Sequence, residues 1–190
     1  MALQGMPVRR GDWMITVSGR RFYPLDPHPE DVDFDDMAHH LARICRYGGA
    51  VSGWYSVAEH SCLMADHFMA LGDLEAARYA HVHDGPEYVI NDMIRPLKPE
   101  LPDFQRIEAP IERAILVRLG LAPSLPARVK EADSLIIGDE RIQLFSAEAL
   151  ARSQWLEKPC LGVTCRQWER DQAKAEWLSR FRALFPEQAV

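Results

Sequence analysis

From about residue 34 to residue 185, nearly every segment between one glycine or proline break and the next carries apolar residues at helical spacing. Met37, Leu41, Ile44 and Cys45 predict a helix over 34–47, stopped by Gly48-Gly49. Ser56-Val-Ala-Glu59 reads as a capping box that opens a helix over 57–71, and Gly72-Asp73 separates it from another over 74–83. A short helical piece follows at 86–90, then a proline-rich loop at 95–102 and a long helix over 103–119 ended by Gly120. Val129, Ala132, Leu135 and Ile136 predict a helix over 125–150. Thr164-x-x-Gln167 reads as a second capping box, opening a final helix that places 164–185 in one element. Only the start differs. Trp13 to Val17, the turn Ser18-Gly19 and Arg21 to Tyr23 predict a β-hairpin within residues 11–25, and the prolines at 24, 27 and 29 form a stiff connector after it. The expected fold is therefore mostly α, one domain over residues 1–190 decorated by a small N-terminal hairpin in 1–25.

Composition narrows the setting. Hydrophobic residues make up 47% and charged residues 26%, as in ordinary globular proteins, and no apolar run reaches membrane-spanning length. The net charge of −6 argues against nonspecific binding to nucleic acid polymers or anionic membranes, while leaving room for a local phosphate site. The first ten residues lack the apolar core of a signal peptide, and Cys45, Cys62, Cys160 and Cys165 show no CxxC spacing. The expectation is a cytoplasmic protein with free thiols. Exposed aromatic positions point to a homo-oligomer.

The chemistry centres on residues 79–98, which hold two histidines, several carboxylates and two basic side chains. His83 and Asp84 are adjacent, and Gly85-Pro86 supplies the turn that lets both face one cation. Two other helices offer candidates among apolar neighbours: His60, one turn into the helix after Ser56, and Asp133 in Val129-Lys-Glu-Ala-Asp133. A buried Asp needs a partner, and a metal ion is one. Two imidazoles and two carboxylates suit Mn, Co, Fe, Ni, Zn or Mg better than a thiolate zinc site. Spacing alone does not single out this quartet.

The order His…His-Asp…Asp with its flanks resembles the HD-domain metal-dependent phosphohydrolases, nearest to the 5′-deoxynucleotidases and the phage-type deoxynucleotide triphosphohydrolases. The pieces that carry the likeness are Cys45-Arg-Tyr-Gly-Gly49, Tyr55-Ser-Val-Ala-Glu-His-Ser61, His83-Asp-Gly-Pro-Glu-Tyr88, Asn91-Asp-Met-Ile-Arg-Pro-Leu-Lys98 and Val129-Lys-Glu-Ala-Asp133. The likeness as a whole covers about residues 12 to 140. The resemblance implies an HD-domain helical bundle, one divalent metal ion, and His60, His83, Asp84 and Asp133 as its ligands. It makes Glu87 the group that orients or deprotonates the attacking water, and Asp92 a second acid/base or substrate-holding group. Arg46 and Lys98 become phosphate contacts, with Arg95 beside them.

The chain departs from the family pattern at Gly85-Pro86 and at Asn91, where glycine is usual; Asn tolerates a left-handed turn. Other roles stand next to these. Arg46 also reads as a cap on the helix over 34–47, Glu87 as a first-turn acid, Asp92 as a turn residue, and Lys98 and above all Arg95 as solvated loop charges. His81, two residues before His83, points away from the site; His67 shares a helix face with His60. Trp155, Trp168 and Trp177 read as core or interface, and Trp54 and Tyr47 as stacking or packing groups. The expected activity is release of phosphate from deoxynucleoside 5′-monophosphates; the alternatives are release of triphosphate from a dNTP and a nucleotide-binding module without catalysis.

Overall fold

A computed structural model describes residues 8–153 and 159–188. The hairpin is present but short: β1 (Met14–Ile15) pairs antiparallel with β2 (Arg21–Phe22), Met14 opposite Phe22 and Ile15 opposite Arg21. Its turn is fastened to the helical body by the buried Asp36, whose carboxylate accepts from the Ser18 amide at 3.0 Å and the Ser18 hydroxyl at 2.7 Å. The rest is helical: α1 (Phe34–Leu41), α2 (Val57–Ala70), α3 (Leu74–Val82), α4 (Glu87–Ile90), α5 (Pro102–Arg118), α6 (Ala127–Leu144), α7 (Ala147–Ser153) and α8 (Arg170–Leu184). No helix is long and apolar enough to cross a membrane among the described residues.

Helix α2 is the axis. Every residue from Val57 to Ala65 is buried, so this helix has no solvated face over its first turns. It packs against α3 and α8, and α8 in turn closes on α1 and α3. The seam of α8 is Ala173, Trp177, Phe181 and Leu184, spaced three or four apart and all buried. His81 of α3 stacks on Trp177 with ring centroids 4.4 Å apart, on the side of α3 away from His83. Trp168 packs on the rim of this core, and Trp155 lies outside the described residues.

Three helix boundaries differ from the sequence expectation, two because tertiary hydrogen bonds outcompete the helical pattern and one because a local cap restarts the helix. The helix predicted over 34–47 ends at Leu41. Residues 44–46 leave it to pair with the chain before α2: Val57 donates to the Ile44 carbonyl at 3.1 Å, Arg46 to the Tyr55 carbonyl at 2.9 Å, and Cys45 bridges Ser56. Arg46 is thus not a C-terminal cap of that helix. The helix predicted over 125–150 breaks at the extended Phe145, after which the Ser146 hydroxyl accepts from the Ala149 amide and starts α7. Ser146 is a capping signal that helical spacing on both sides conceals.

The third difference joins the two supposed capping boxes. Ser56 does cap α2, accepting from the Glu59 amide at 3.1 Å. Glu59 does not reach back to complete the box. Its buried carboxylate accepts instead from the amides of Arg166, Gln167 and Trp168, at 2.5, 2.9 and 2.7 Å. That claim on residues 166–168 prevents a helix from starting at Thr164, so α8 begins only at Arg170. Residues 159–168 run instead as a strap across α2 and α6. Asp139 holds the other end through the amides of Leu161, Gly162 and Val163 at 2.6 to 3.2 Å. The strap passes so close to α6 that a Cβ at Gly138 would stand 2.5 Å from the Pro159 carbonyl oxygen.

Candidate metal centre

α2 supplies His60, whose side chain is fully buried. Its Nδ1 lies 2.7 Å from the Glu140 carboxylate, so the nitrogen left to face the centre is Nε2. At the end of α3, His83 is oriented in the same way. Its Nδ1 lies 2.8 Å from the Ala80 carbonyl oxygen, which accepts a hydrogen bond from it, and Nε2 turns inward. The two Nε2 atoms are 3.3 Å apart. Two imidazole nitrogens of the same kind, each with its second nitrogen committed elsewhere, have no good use for each other and a good one for a shared cation.

The carboxylate on the next residue completes the group. Asp84 sets one oxygen 3.3 Å from His83 Nε2 and the other 3.6 Å from His60 Nε2. The turn that puts it there depends on Gly85, where a Cβ would meet the Val82 carbonyl oxygen at 2.8 Å and Ile115 at 3.0 Å. His60, His83 and Asp84 offer ligand atoms all within 4.8 Å of one another, and could hold a metal ion. The donor set fits a borderline divalent cation. Asp133, on α6, approaches the same imidazoles, 3.4 Å from His60 Nε2 and 3.8 Å from His83 Nε2.

The electrostatics are those of a charged centre inside a low-dielectric wall. Burial lowers the His83 pKa, but Asp84 and Asp133 outweigh it and lift it to about 9. Burial would raise Asp84 and Asp133, yet the imidazoles hold both below the usual carboxylate range, Arg46 adding to the effect on Asp84. Glu87 goes the other way. It is 5% exposed, one of its carboxylate oxygens is buried without a hydrogen-bond partner, and burial with the fields of Asp84 and Asp92 pushes its pKa well up. Asp92 is half-buried and is raised by burial, with Asp84 contributing against the pull of Arg46.

The expected phosphate contacts are distributed around this group. Arg46 donates to Asp84 at 3.0 Å and is only 12% exposed, so it offsets the Asp84 charge at close range. Arg95 donates to Asp133 at 3.0 Å from an exposed loop. Lys98 donates to Glu108 at 2.8 Å, with Asp84 and Glu87 near enough to affect its charge. Arg95 and Lys98 also line a cavity of about 460 Å³ with Gln105, Glu108 and Glu112. Asn91, where the resemblance led to an expected left-handed turn, takes φ 64° and ψ 162°. That region is entered almost only by glycine, a stricter demand than the expected left-handed turn.

Two further histidines and two aromatics find partners away from this group. His67 stands about 10 Å along α2 from His60, seven residues at a 1.5 Å rise, with its ring against Phe68. His40 sets its Nδ1 2.8 Å from the Tyr88 carbonyl oxygen, fixing α1 to α4. Trp54 lies under the Arg170 guanidinium at 4.0 Å and donates to the Ala42 carbonyl, which is packing. Tyr47 donates to Glu140.

Glu140 is the residue that sequence reasoning missed. It lies seven residues after Asp133, two turns along the same helix face, so an acid at that spacing in an otherwise buried stripe was the available signal.

The fold is mostly helical, and His60, His83 and Asp84, the first buried and the other two partly so, could hold a metal ion. No family model matches the chain. Over 126 residues it is 39% identical to the uncharacterized protein RCAP_rcc00048 of Rhodobacter capsulatus, covering 63% of this chain and 64% of that protein, just under two thirds. Over 129 residues it is 37% identical to the uncharacterized protein YfdR of Escherichia coli K12, covering 68% of this chain and 70% of that one. The chain belongs to the family of YfdR.

Proposed function

We propose that this chain is an HD-domain metal-dependent phosphohydrolase that releases phosphate from deoxynucleoside 5′-monophosphates. The observation that carries the reading is the approach of two inward-facing Nε2 atoms and the Asp84 carboxylate within 4.8 Å of one another, with Asp133 3.4 Å from His60 Nε2 as the fourth ligand. A divalent cation, when bound, supplies Lewis-acid activation of water and of a phosphoryl oxygen.

The chain's own residues do the rest. Glu87 takes the proton of the attacking water: a buried acid with an unsatisfied oxygen and a raised pKa suits a group that exchanges a proton rather than one that stays ionised. Asp92 holds the leaving side or shares that proton. Arg46 and Lys98 offset the phosphate charge, Arg46 from within the wall and Lys98 from the loop.

One feature favours a second substrate. The cavity lined by Arg95 and Lys98 adjoins Asp133 through Arg95 and gives room for a longer phosphate chain, as release of triphosphate from a dNTP requires. Assaying inorganic phosphate against tripolyphosphate over a panel of nucleotides, with Mn, Co, Ni, Zn and Mg in turn, decides between them. The expected product is inorganic phosphate from monophosphates. Tripolyphosphate moves the assignment to dNTPs, and tight nucleotide binding with no turnover on any metal leaves a binding module without catalysis.

A further inference from the structure

Glu140 is fully buried, and its surroundings are matched to a carboxylate. Every group that faces it is a donor or a cation. Its Oε1 lies 2.7 Å from His60 Nδ1 and accepts from the Tyr55 hydroxyl at 2.8 Å. Its Oε2 accepts from the Tyr47 hydroxyl, and the Arg46 Nε stands 3.6 Å from Oε1. Burying a carboxylate is costly unless several partners meet it, and a whole buried ionic group can often be exchanged for apolar side chains of similar volume without loss of stability. Packing α6 against the segment before α2 does not by itself call for an acid here.

Two strained or constrained features converge on it. Tyr47 has φ 59° and ψ 24°, a left-handed backbone that an aromatic residue rarely adopts, and its hydroxyl reaches Glu140 from that conformation. His60 can present Nε2 to the centre as a lone pair only while Nδ1 keeps its proton, and Glu140 is the acceptor that keeps it there.

We propose that Glu140 is the positioning residue of the metal centre: it fixes the tautomer and orientation of the His60 imidazole, and through Tyr47 it ties that imidazole to the loop that carries Arg46. The inference rests on His60 being a metal ligand, and it is independent of which nucleotide, if any, is hydrolysed. Because the anchoring carboxylate makes His60 a better donor, its effect appears in cation affinity before it appears in turnover.

Calorimetric titration of the full chain with Co²⁺, without nucleotide, tests it. Glu140→Gln keeps shape and an acceptor but removes the charge, and should weaken Co²⁺ binding by about 10- to 100-fold while circular dichroism stays that of the wild type. Should that variant fail to fold, Glu140→Asp keeps the charge but withdraws it from His60, and the same loss is expected. A purely structural Glu140 would lower the melting temperature of either variant and leave its Co²⁺ dissociation constant within about twofold of wild type, less than the outer-ligand effect allows. That result, with His60→Ala binding no Co²⁺, would overturn this inference alone. Wild-type chain that binds Co²⁺ and hydrolyses nothing would instead remove the phosphohydrolase reading and leave Glu140 in its role.

Discussion

α2 and α6 each carry two consecutive polar residues that face opposite sides of the molecule, and the two sides use them differently. Glu59 and Asp139 turn to the strap, where each carboxylate is met by three backbone amides. Their neighbours His60 and Glu140 turn to the centre, where the partners are side chains from four separate elements. On the strap side the accounts close: oxygens and donors are matched, and nothing is left for a ligand. On the centre side they do not. Two Nε2 atoms face each other at 3.3 Å, and a buried Glu87 oxygen has no partner. Buried polar groups satisfied by backbone hold a fold together; buried polar groups left unsatisfied and pointed inward mark where something else binds.

The largest effect expected from this contrast is on the centre side. Asp84→Ala removes a charged ligand from a group with few charges and should lose bound metal and activity together. Metal content at the wild-type level by elemental analysis, with activity gone, would mean that Asp84 acts on substrate and not on the ion. Next comes Glu87→Gln, which keeps shape but cannot take a proton. It should retain the metal and nucleotide binding while kcat falls by about 10²- to 10⁴-fold with KM little changed. Near wild-type kcat with an unchanged pH profile would make Glu87 a helix-start acid, and Asp92 the base to examine.

The strap side should respond in stability instead. Glu59→Ala strips three amides of a charged acceptor in a buried site, and a loss of about 2–4 kcal/mol in urea denaturation is expected. Below its melting transition that variant should still bind Co²⁺ with near wild-type affinity. A collapse of affinity as large as that of His60→Ala would erase the distinction between the two sides. The smallest effect belongs to Arg95, which is 58% exposed: Arg95→Ala should shift stability by no more than about 0.5 kcal/mol, as exposed ion pairs do. Its loss should show, if anywhere, as a raised KM for the longer nucleotides.

Much of the architecture could be read from residue order. The helices around His60 and His83 have strong apolar spacing and clear stops, and α2, α3 and α5 lie within a residue or two of where the pattern puts them. The failures share one cause. Glu59, Leu144 and residues 44–46 all stand in locally plausible helical or capping patterns, yet their deciding partners, residues 166–168, Ser52 and residues 55–57, lie outside the local pattern. The same limit applies to the site. Adjacent His83 and Asp84 could be picked out by chemistry, whereas the commitment of His60 to Glu140, 80 residues away, depends on how α6 docks against α2. Asp133 drew notice as a costly acid among apolar residues, and Glu140, seven positions later, is costlier still.

The most direct test of the centre is a crystal structure of the wild-type chain soaked with Mn²⁺, read by anomalous diffraction. The expected result is a single strong peak within about 2.0–2.3 Å of His60 Nε2, His83 Nε2 and an oxygen each of Asp84 and Asp133, as nitrogen and carboxylate ligands to divalent cations require. A peak held by other residues, or none at saturating Mn²⁺ with the two Nε2 atoms still facing each other, would contradict it.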